Sequence, residues 1–355
     1  MATSPSVLMM PLSTVYRAVT EARLAAYRSG WFRSFKLAAP VVSVGNITTG
    51  GTGKTPMVEW VCRTISTQTS NADLLKSICV LTRGYGKADP KAQVLVSNGK
   101  QILANEREAG DEPLLLARNL LGIASVVSNP DRVAAGEWAL RELGAKVFVL
   151  DDGFQHLRLA RDLDLVTVDA TNPFGGGELL PKGRLREARH NLARADCVVI
   201  TRSDQTSDLV SVKESIRRLV GDRPIFISRM ETNGFRDLNG AAVGKSEIVK
   251  QRVGIFCGVG NPDSFSTQVR MTGVDIAFSR AFPDHHNFSA DDLHHLVLQA
   301  RETGATCLLT TAKDATKLSD SQLSLPCYVL EIRIAIDDEA RLATMIDNAI
   351  KGAAA

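Results

Sequence analysis

Apolar residues in this chain gather into short continuous runs, and between the runs they recur at helical steps. The runs at 41–44, 78–82, 124–128, 146–150, 163–168 and 197–201 are mostly apolar and are bounded by polar residues or glycine. Segments 56–65, 111–121, 131–143 and 207–220 instead repeat apolar positions every three or four residues. Strands apolar on both faces, alternating with helices, predict a parallel sheet covered on both sides. Two shorter runs, 93–97 and 102–104, flank Asn98-Gly99 and predict a hairpin.

The pattern changes at 225–244, where two extended runs surround Asn233-Gly234 and Asn239-Gly240. This reads as a link between domains, placed at 225–250. Beyond it, strands at 253–257, 274–278, 306–311 and 327–334 alternate with helices at 262–271, 290–303 and 338–351. They predict a second, smaller α/β domain over 251–355.

Segment 7–32 predicts one amphipathic helix, and 1–36 is set apart as an N-terminal helical region. Leu8, Leu12, Val15, Val19, Ala22 and Ala26 make an apolar stripe, flanked by Tyr16, Leu24, Tyr27 and Trp31. Its arginines rule out a bilayer span, and no charge precedes the apolar run as it would in a secretory signal. A basic amphipathic helix with Tyr and Trp suits an anionic membrane surface. Packing against its own domain suits the same pattern.

Composition narrows the classes. A length of 355 residues, 44% of them hydrophobic, allows about two domains with sizeable cores. The net charge of +3 implies no general nucleic-acid surface. Residues 1–40 carry a local excess of +4, so the remainder is about neutral. The six cysteines are scattered without C-x-x-C spacing, which implies buried thiols in a reducing compartment, with no zinc site and no disulfide framework.

Candidate chemistry starts at Gly50-Gly51-Thr52-Gly53-Lys54-Thr55, between a strand and a helix. Glycines let backbone N–H groups converge on an anion, and the helix N-terminus adds positive potential. Lys54 would reach the terminal phosphates and the Thr55 hydroxyl a Mg²⁺ ion. The first glycine of the usual pattern is replaced by Thr48, and Thr49 stands where the variant loop has lysine. The fold expected is therefore α/β, a P-loop NTPase-like parallel sheet flanked by helices over 37–224 with the smaller domain appended.

Asp151-Asp152 ends the apolar run at 146–150, where P-loop proteins place a carboxylate on Mg²⁺; otherwise such a pair is a solvated turn. His156 follows four residues later. Asp111 opens a helix, as a cap or as a functional acid. His285 and His286 sit in a loop before the capping box Ser289-x-x-Asp292, functional or incidental. Gly175-Gly176-Gly177 to Glu187, with Lys182, Arg184 and Arg186, is either a loose connection or a loop for an anionic substrate.

Taken together, these strings resemble the tetraacyldisaccharide 4′-kinase family of lipid A biosynthesis. The resemblance rests on residues 40–56, Thr82-Arg83-Gly84-Tyr85, Gly110-Asp111-Glu112-Pro113 and Leu150-Asp151-Asp152-Gly153-Phe154-Gln155-His156. It continues through Gly183-Arg184-Leu185-Arg186-Glu187, Asp284-His285-His286 and Lys313-Asp314. It implies an ATP-dependent kinase acting on the 4′-hydroxyl of a tetraacylated glucosamine disaccharide 1-phosphate, giving lipid IVA. The work would be done peripherally, at the cytoplasmic face of the inner membrane, which favours the membrane reading of the N-terminal helix. No nucleic-acid or protein partner is implied.

The same resemblance assigns roles. Thr48, Thr49, Gly50, Gly51, Thr52, Gly53, Lys54 and Thr55 hold the nucleotide. Asp111 is the base, assisted by His285 or, failing that, His286. Thr55, Asp151 and Glu187 serve Mg²⁺, Asp152 and Lys54 the reacting phosphoryl group, and Arg83, Tyr85, His156 and Arg184 the substrate. The rival is a P-loop nucleotide-switch ATPase or GTPase of partitioning or metallochaperone type.

Overall fold

The computed structural model describes residues 5–68, 77–318 and 323–354. Helix α1 (Pro5–Arg28) precedes β1 (Val41–Gly45), α2 (Lys54–Gln68), β2 (Ile78–Thr82) and β3 (Val94–Ser97). Next come α3 (Glu106–Ala109), α4 (Asp111–Asn119), β4 (Ala124–Ser128), α5 (Arg132–Glu142) and β5 (Val147–Asp151). Strands β6 (Leu163–Asp169) and β7 (Cys197–Thr201) and helix α6 (Leu209–Val220) complete the first unit. Its strands run β7-β6-β1-β5-β2-β4-β3, all parallel except β3.

Alternation explains how one strand serves two layers. Val42 and Val44 of β1 pack toward Met57, Val58 and Val61 of α2, while Val41 packs with Val133 and Ala139 of α5. Every residue of β1, β2, β5, β6 and β7 is buried, as the uninterrupted apolar runs require.

At 225–237 the structure departs from the expected link. The segment is one strand, β8 (Ile225–Asp237), which pairs in parallel with β7 through Ile225–Ile227 and antiparallel with a strand of the second unit through Ser228 onward. Asn233-Gly234 lies at a bulge where the register shifts. Only Asn239-Gly240 turns the chain, into β9 (Ala242–Val243).

The second unit continues with α7 (Lys245–Val249), β10 (Arg252–Cys257), α8 (Pro262–Met271), β11 (Asp275–Ala281), α9 (Ala290–Thr303) and β12 (Cys307–Thr311). It closes with α10 (Ala312–Ala315), β13 (Cys327–Ile336) and α11 (Glu339–Ala354). Its strand order β11-β10-β12-β13 joins the first unit through the β13–β8 pair. Helix α11, expected in the second domain, packs on the first: Leu342, Ala343 and Ile346 join the α2 core, and Trp60 Nε1 donates to Glu339 Oε1 at 3.1 Å.

Helix α1 lies on the first unit with the opposite face from the one its stripe suggests. Ser13 and Leu24 are buried, Tyr16 Oη donates to Arg186 O at 2.9 Å, and Asn191 Nδ2 donates to Glu21 Oε1 at 3.1 Å. Met10, Leu12, Val15 and Val19 stay exposed, as do Trp31 and Phe32 beyond the helix. Among the described residues no helix is long and apolar enough to cross a membrane.

Candidate active site

The carboxyl ends of β1, β5, β2 and β4 lie side by side, the edge at which open α/β sheets take ligands. After β1 the chain turns through Gly50 (φ 102°) and Gly53 (φ 81°), a backbone region that glycine tolerates best. A Cβ on Gly50 would stand 2.0 Å from Arg184 Nη2. Asn46 Nδ2 donates to Thr52 Oγ1 at 2.9 Å and Thr201 Oγ1 to Thr52 O at 2.9 Å, tying the loop to the sheet. From outside, Thr49 N donates to Arg184 O at 2.7 Å and Arg186 N to Ile47 O at 2.8 Å. Helix α2 begins at Lys54, so the loop and the helix N-terminus form one cradle.

Two adjacent carboxylates face this cradle with opposite tuning. Asp152 (φ 53°) contacts Lys54 Nζ at 3.4 Å and Arg186 Nη1 at 2.6 Å. Burial would raise its pKa, but the Lys54 and Arg186 charges outweigh it and hold the carboxyl well below the usual range. Asp151 forms no ion pair among the described residues, and the Lys54 charge acts on it more weakly than burial. Burial first, then Glu112 and Asp152, push it up to about 7, although Thr82 Oγ1 donates to it at 2.9 Å.

A second cluster faces the first across the cleft. Asp111 opens α4 after Gly110 (φ 89°), and its Oδ2 lies 2.9 Å from His285 Nδ1, with Lys317 Nζ at 3.2 Å and Lys313 Nζ at 3.8 Å. Burial opposes ionisation of Asp111, yet the His285 hydrogen bond and these cations hold it below the carboxylate range. Conversely His285 is raised, chiefly by its hydrogen bond to Asp111, with burial and Lys313 opposing. Lys313 Nζ also reaches Glu112 Oε1 at 3.3 Å, Asp284 Oδ1 at 3.1 Å and His285 Nε2 at 3.3 Å. His286 turns away: it stacks on Phe282 at 4.7 Å and its Nε2 meets Asp292 Oδ2 at 3.0 Å.

Both clusters border one cavity of about 1160 Å³ between the two units. Thr49 to Thr55, Asp152 and Arg186 line it from the first unit, with Asp284, His285 and Lys313 opposite. The units touch at the loop itself, where a Cβ on Gly260 would stand 2.9 Å from Gly51 N. Arg83, Tyr85 and His156 also line the cavity, and Arg83 Nη1 donates to Tyr85 Oη at 2.7 Å.

Five expected residues take other places; Asp151, buried and held by Thr82, does not itself line the cavity. Thr48 is buried, paired with Leu185, and Arg184 braces the loop from outside; neither lines the cavity. Asp111 is 4% exposed and reaches the cavity through His285 and Lys313. Glu187 was expected to serve Mg²⁺, but its carboxylate is taken by Gln155 Nε2 and Arg194 Nη2, each at 2.7 Å, behind the cavity wall.

Sequence reasoning gave no role to Lys317 or to the Arg202–Asp169 pair, which Asn261 Nδ2 joins at 3.4 Å from the second unit. Arg202 sits in a string, Thr201-Arg202-Ser203-Asp204, that reads only as a poor guanine motif. Its left-handed backbone (φ 55°) was the feature hidden from the sequence.

Comparison with known proteins agrees over almost the whole chain. The tetraacyldisaccharide 4′-kinase of Geobacter metallireducens is 37% identical over 97% of this chain and 98% of its own. That of Syntrophus aciditrophicus is 35% identical over 98% of this chain and 94% of its own. The crystal structure of "apo" form LpxK from Aquifex aeolicus in complex with ATP has a TM-score of 0.75 at 30% identity, covering 97% of this chain and 99% of that one. Residues 5–351 match the family of tetraacyldisaccharide-1-P 4′-kinases. A phosphate-loop cavity closed by a second unit, in a chain with these relatives, leaves one assignment: the chain belongs to the tetraacyldisaccharide-1-P 4′-kinase family and is a kinase.

Proposed function

We propose that this chain transfers the γ-phosphoryl group of ATP to the 4′-hydroxyl of a tetraacylated disaccharide 1-phosphate, with lipid IVA as product. The observation that carries the reading is the Asp111–His285 contact, which joins the two units beside the same cavity as the phosphate loop. The units at 37–224 and 251–355 are taken as the two walls that close over the substrates.

Lys54 and the loop amides neutralise the phosphate oxygens, where charge grows during transfer. Asp152, held between Lys54 and Arg186, keeps both cations in place. The Asp111–His285 pair removes the hydroxyl proton. Nδ1–H of His285 donates to Asp111, which leaves Nε2 as the accepting atom; Lys313 Nζ, 3.3 Å away, must yield it to the hydroxyl. Asp111 fixes that tautomer and stabilises the imidazolium that forms.

Thr55 and Asp151 fit Mg²⁺: both offer hard oxygen, and at the buried Asp151 carboxyl burial and the acidic neighbours Glu112 and Asp152 outweigh the Lys54 charge. When bound, the ion would supply charge that offsets the phosphate oxygens. Glu187, already paired, is left out of this set.

The exposed stripe Met10, Leu12, Val15 and Val19, with Trp31 and the basic residues around it, supports docking on the cytoplasmic membrane surface where such a lipid resides. The protein given labelled ATP and tetraacyldisaccharide 1-phosphate in mixed micelles should label the lipid. ATP hydrolysis with unlabelled lipid would instead mark a nucleotide switch.

A further inference from the structure

Two lysines line the cavity among the described residues, Lys54 from the first unit and Lys313 from the second. Lys54 serves the phosphates, whereas Lys313 has so far only to yield His285 to the acceptor. It stands on α10 directly after β12, where Asp314 N donates to Thr311 Oγ1 and fixes the turn. Its side chain is 14% exposed, so the charge is held at the cavity wall and largely out of water. Burial works against that charge, but Glu112, Asp111 and Asp284 outweigh it and keep the amine protonated.

Asp111 does not depend on this ammonium. Lys317, itself buried, lies 3.2 Å from Asp111 Oδ2, nearer than Lys313 at 3.8 Å. What Lys313 does occupy is His285 Nε2, at 3.3 Å. An ammonium has donors only, so the contact takes the lone pair of Nε2, the atom that must accept the hydroxyl proton. The free enzyme therefore holds its base covered.

Two neighbours set the ammonium beside the phosphoryl site. Asp284 Oδ1 lies 3.1 Å from Nζ, and a Cβ on Gly260 would stand 3.0 Å from Asp284 Oδ2 and 2.9 Å from Gly51 N of the phosphate loop. On the other side Glu112 Oε1 lies 3.3 Å away, and the Glu112 charge acts on Asp151. Lys313 thus sits between the loop and the acidic end of β5, on a long flexible stem whose charge can be re-aimed.

We propose that Lys313 is a further catalytic residue, a cation that the second unit brings to the transferring phosphoryl group and that rests on His285 Nε2 until the substrates are in place. The charge of the γ-phosphoryl oxygens draws the ammonium off Nε2 and onto them, and the same movement opens Nε2 to the acceptor hydroxyl. Lys54 and Lys313 then flank the phosphoryl group from the two units, so transfer has both cations only when the cleft is closed. The uncovering of Nε2 rests on His285 being the base proposed above; the charge on the phosphoryl group does not.

The test is Lys313→Met, which keeps the stem and deletes the charge, assayed with ATP and the acceptor lipid in mixed micelles. With both substrates saturating, kcat should fall by on the order of 10²–10³, the loss expected for one preorganised charge-stabilising group, while ATP affinity changes little. Lys313→Arg restores the charge and should recover most of the lost turnover. The rising limb of kcat/KM should also move to higher pH in Lys313→Met, because the Lys313 charge lowers the His285 pKa in the free enzyme. Lys313→Gln carries the same comparisons if the Met variant does not fold. A normal kcat with only the acceptor KM raised would make Lys313 a latch between the units and overturn the proposal. So would an Arg variant as slow as the Met variant, or a limb that does not move. Near-normal turnover in His285→Ala would instead overturn the base assignment, and the kcat comparison among the Lys313 variants would still decide the phosphoryl role.

Discussion

Two aspartates of the first unit, Asp152 and Asp111, are both held ionised by cations, but from different sources. Asp152 is neutralised by Lys54 and Arg186, both from its own unit. Asp111 is neutralised by His285, Lys313 and Lys317, all carried by the opposite unit. The phosphate-loop side is therefore complete within one unit, whereas the proposed base exists only where the two meet. A kinase arranged this way can bind nucleotide on a formed cradle and withhold the base until the cleft closes, which limits transfer to water.

The largest break in this comparison comes from the side assembled between units. Asp111→Ala removes the counter-charge of His285, and turnover should fall by roughly 10²–10⁴-fold with ATP affinity little changed, measured by steady-state kinetics and nucleotide titration. Lys54→Ala strikes the preformed side. It should lower kcat by on the order of 10²–10³, the usual loss for one preorganised charge-stabilising group. Near-normal turnover in that variant would contradict the phosphate-loop assignment.

The pH profile separates the two sides without removing either. His285 must be neutral to accept a proton, and its pKa is raised above 6.5, mainly by Asp111. The rising limb of kcat/KM should therefore lie above pH 6.5, with activity lost as pH falls through it. Asp111→Asn deletes the largest raising cause and leaves burial and Lys313 opposed by Asp284 alone, so the limb should move to lower pH while the plateau drops. A limb that stays put would assign it to another group.

The smallest effect is expected at the neighbouring histidine. His286→Ala loses a stack on Phe282 and a contact to Asp292, which caps α9. It should cost about 1 kcal/mol of stability, read by thermal unfolding, with turnover changed only a few-fold. A loss equal to that of His285→Ala would erase the distinction between the two.

The two sides also differed in how far they could be read. The phosphate loop is one contiguous string between a strand and a helix, so its physics is local and visible. Asp111 and His285 are 174 positions apart, and only family resemblance joined them; adjacent histidines could not be told apart until Phe282 and Asp292 were seen to hold His286.

The partners of Glu187 were hidden because a carboxylate in a basic loop says nothing of which cation it meets; here that is Arg194. Asn-Gly signals both turn and bulge, so a strand crossing between units at 225–237 looked like a link. Helices α1 and α11 carry similar apolar stripes, yet α11 buries its own against α2 while α1 leaves its own in solvent. Pattern alone does not say what a stripe will meet.

The claim that one base is built from two units is tested most directly by a double-mutant cycle on Asp111 and His285. Rates of lipid phosphorylation would be measured for each single Ala variant and for the pair under the same saturating ATP. If the residues act as one group, the double variant should be scarcely slower than Asp111→Ala alone, because coupled catalytic residues are not additive. Defects that simply multiply would contradict a shared base and leave the two residues with separate tasks.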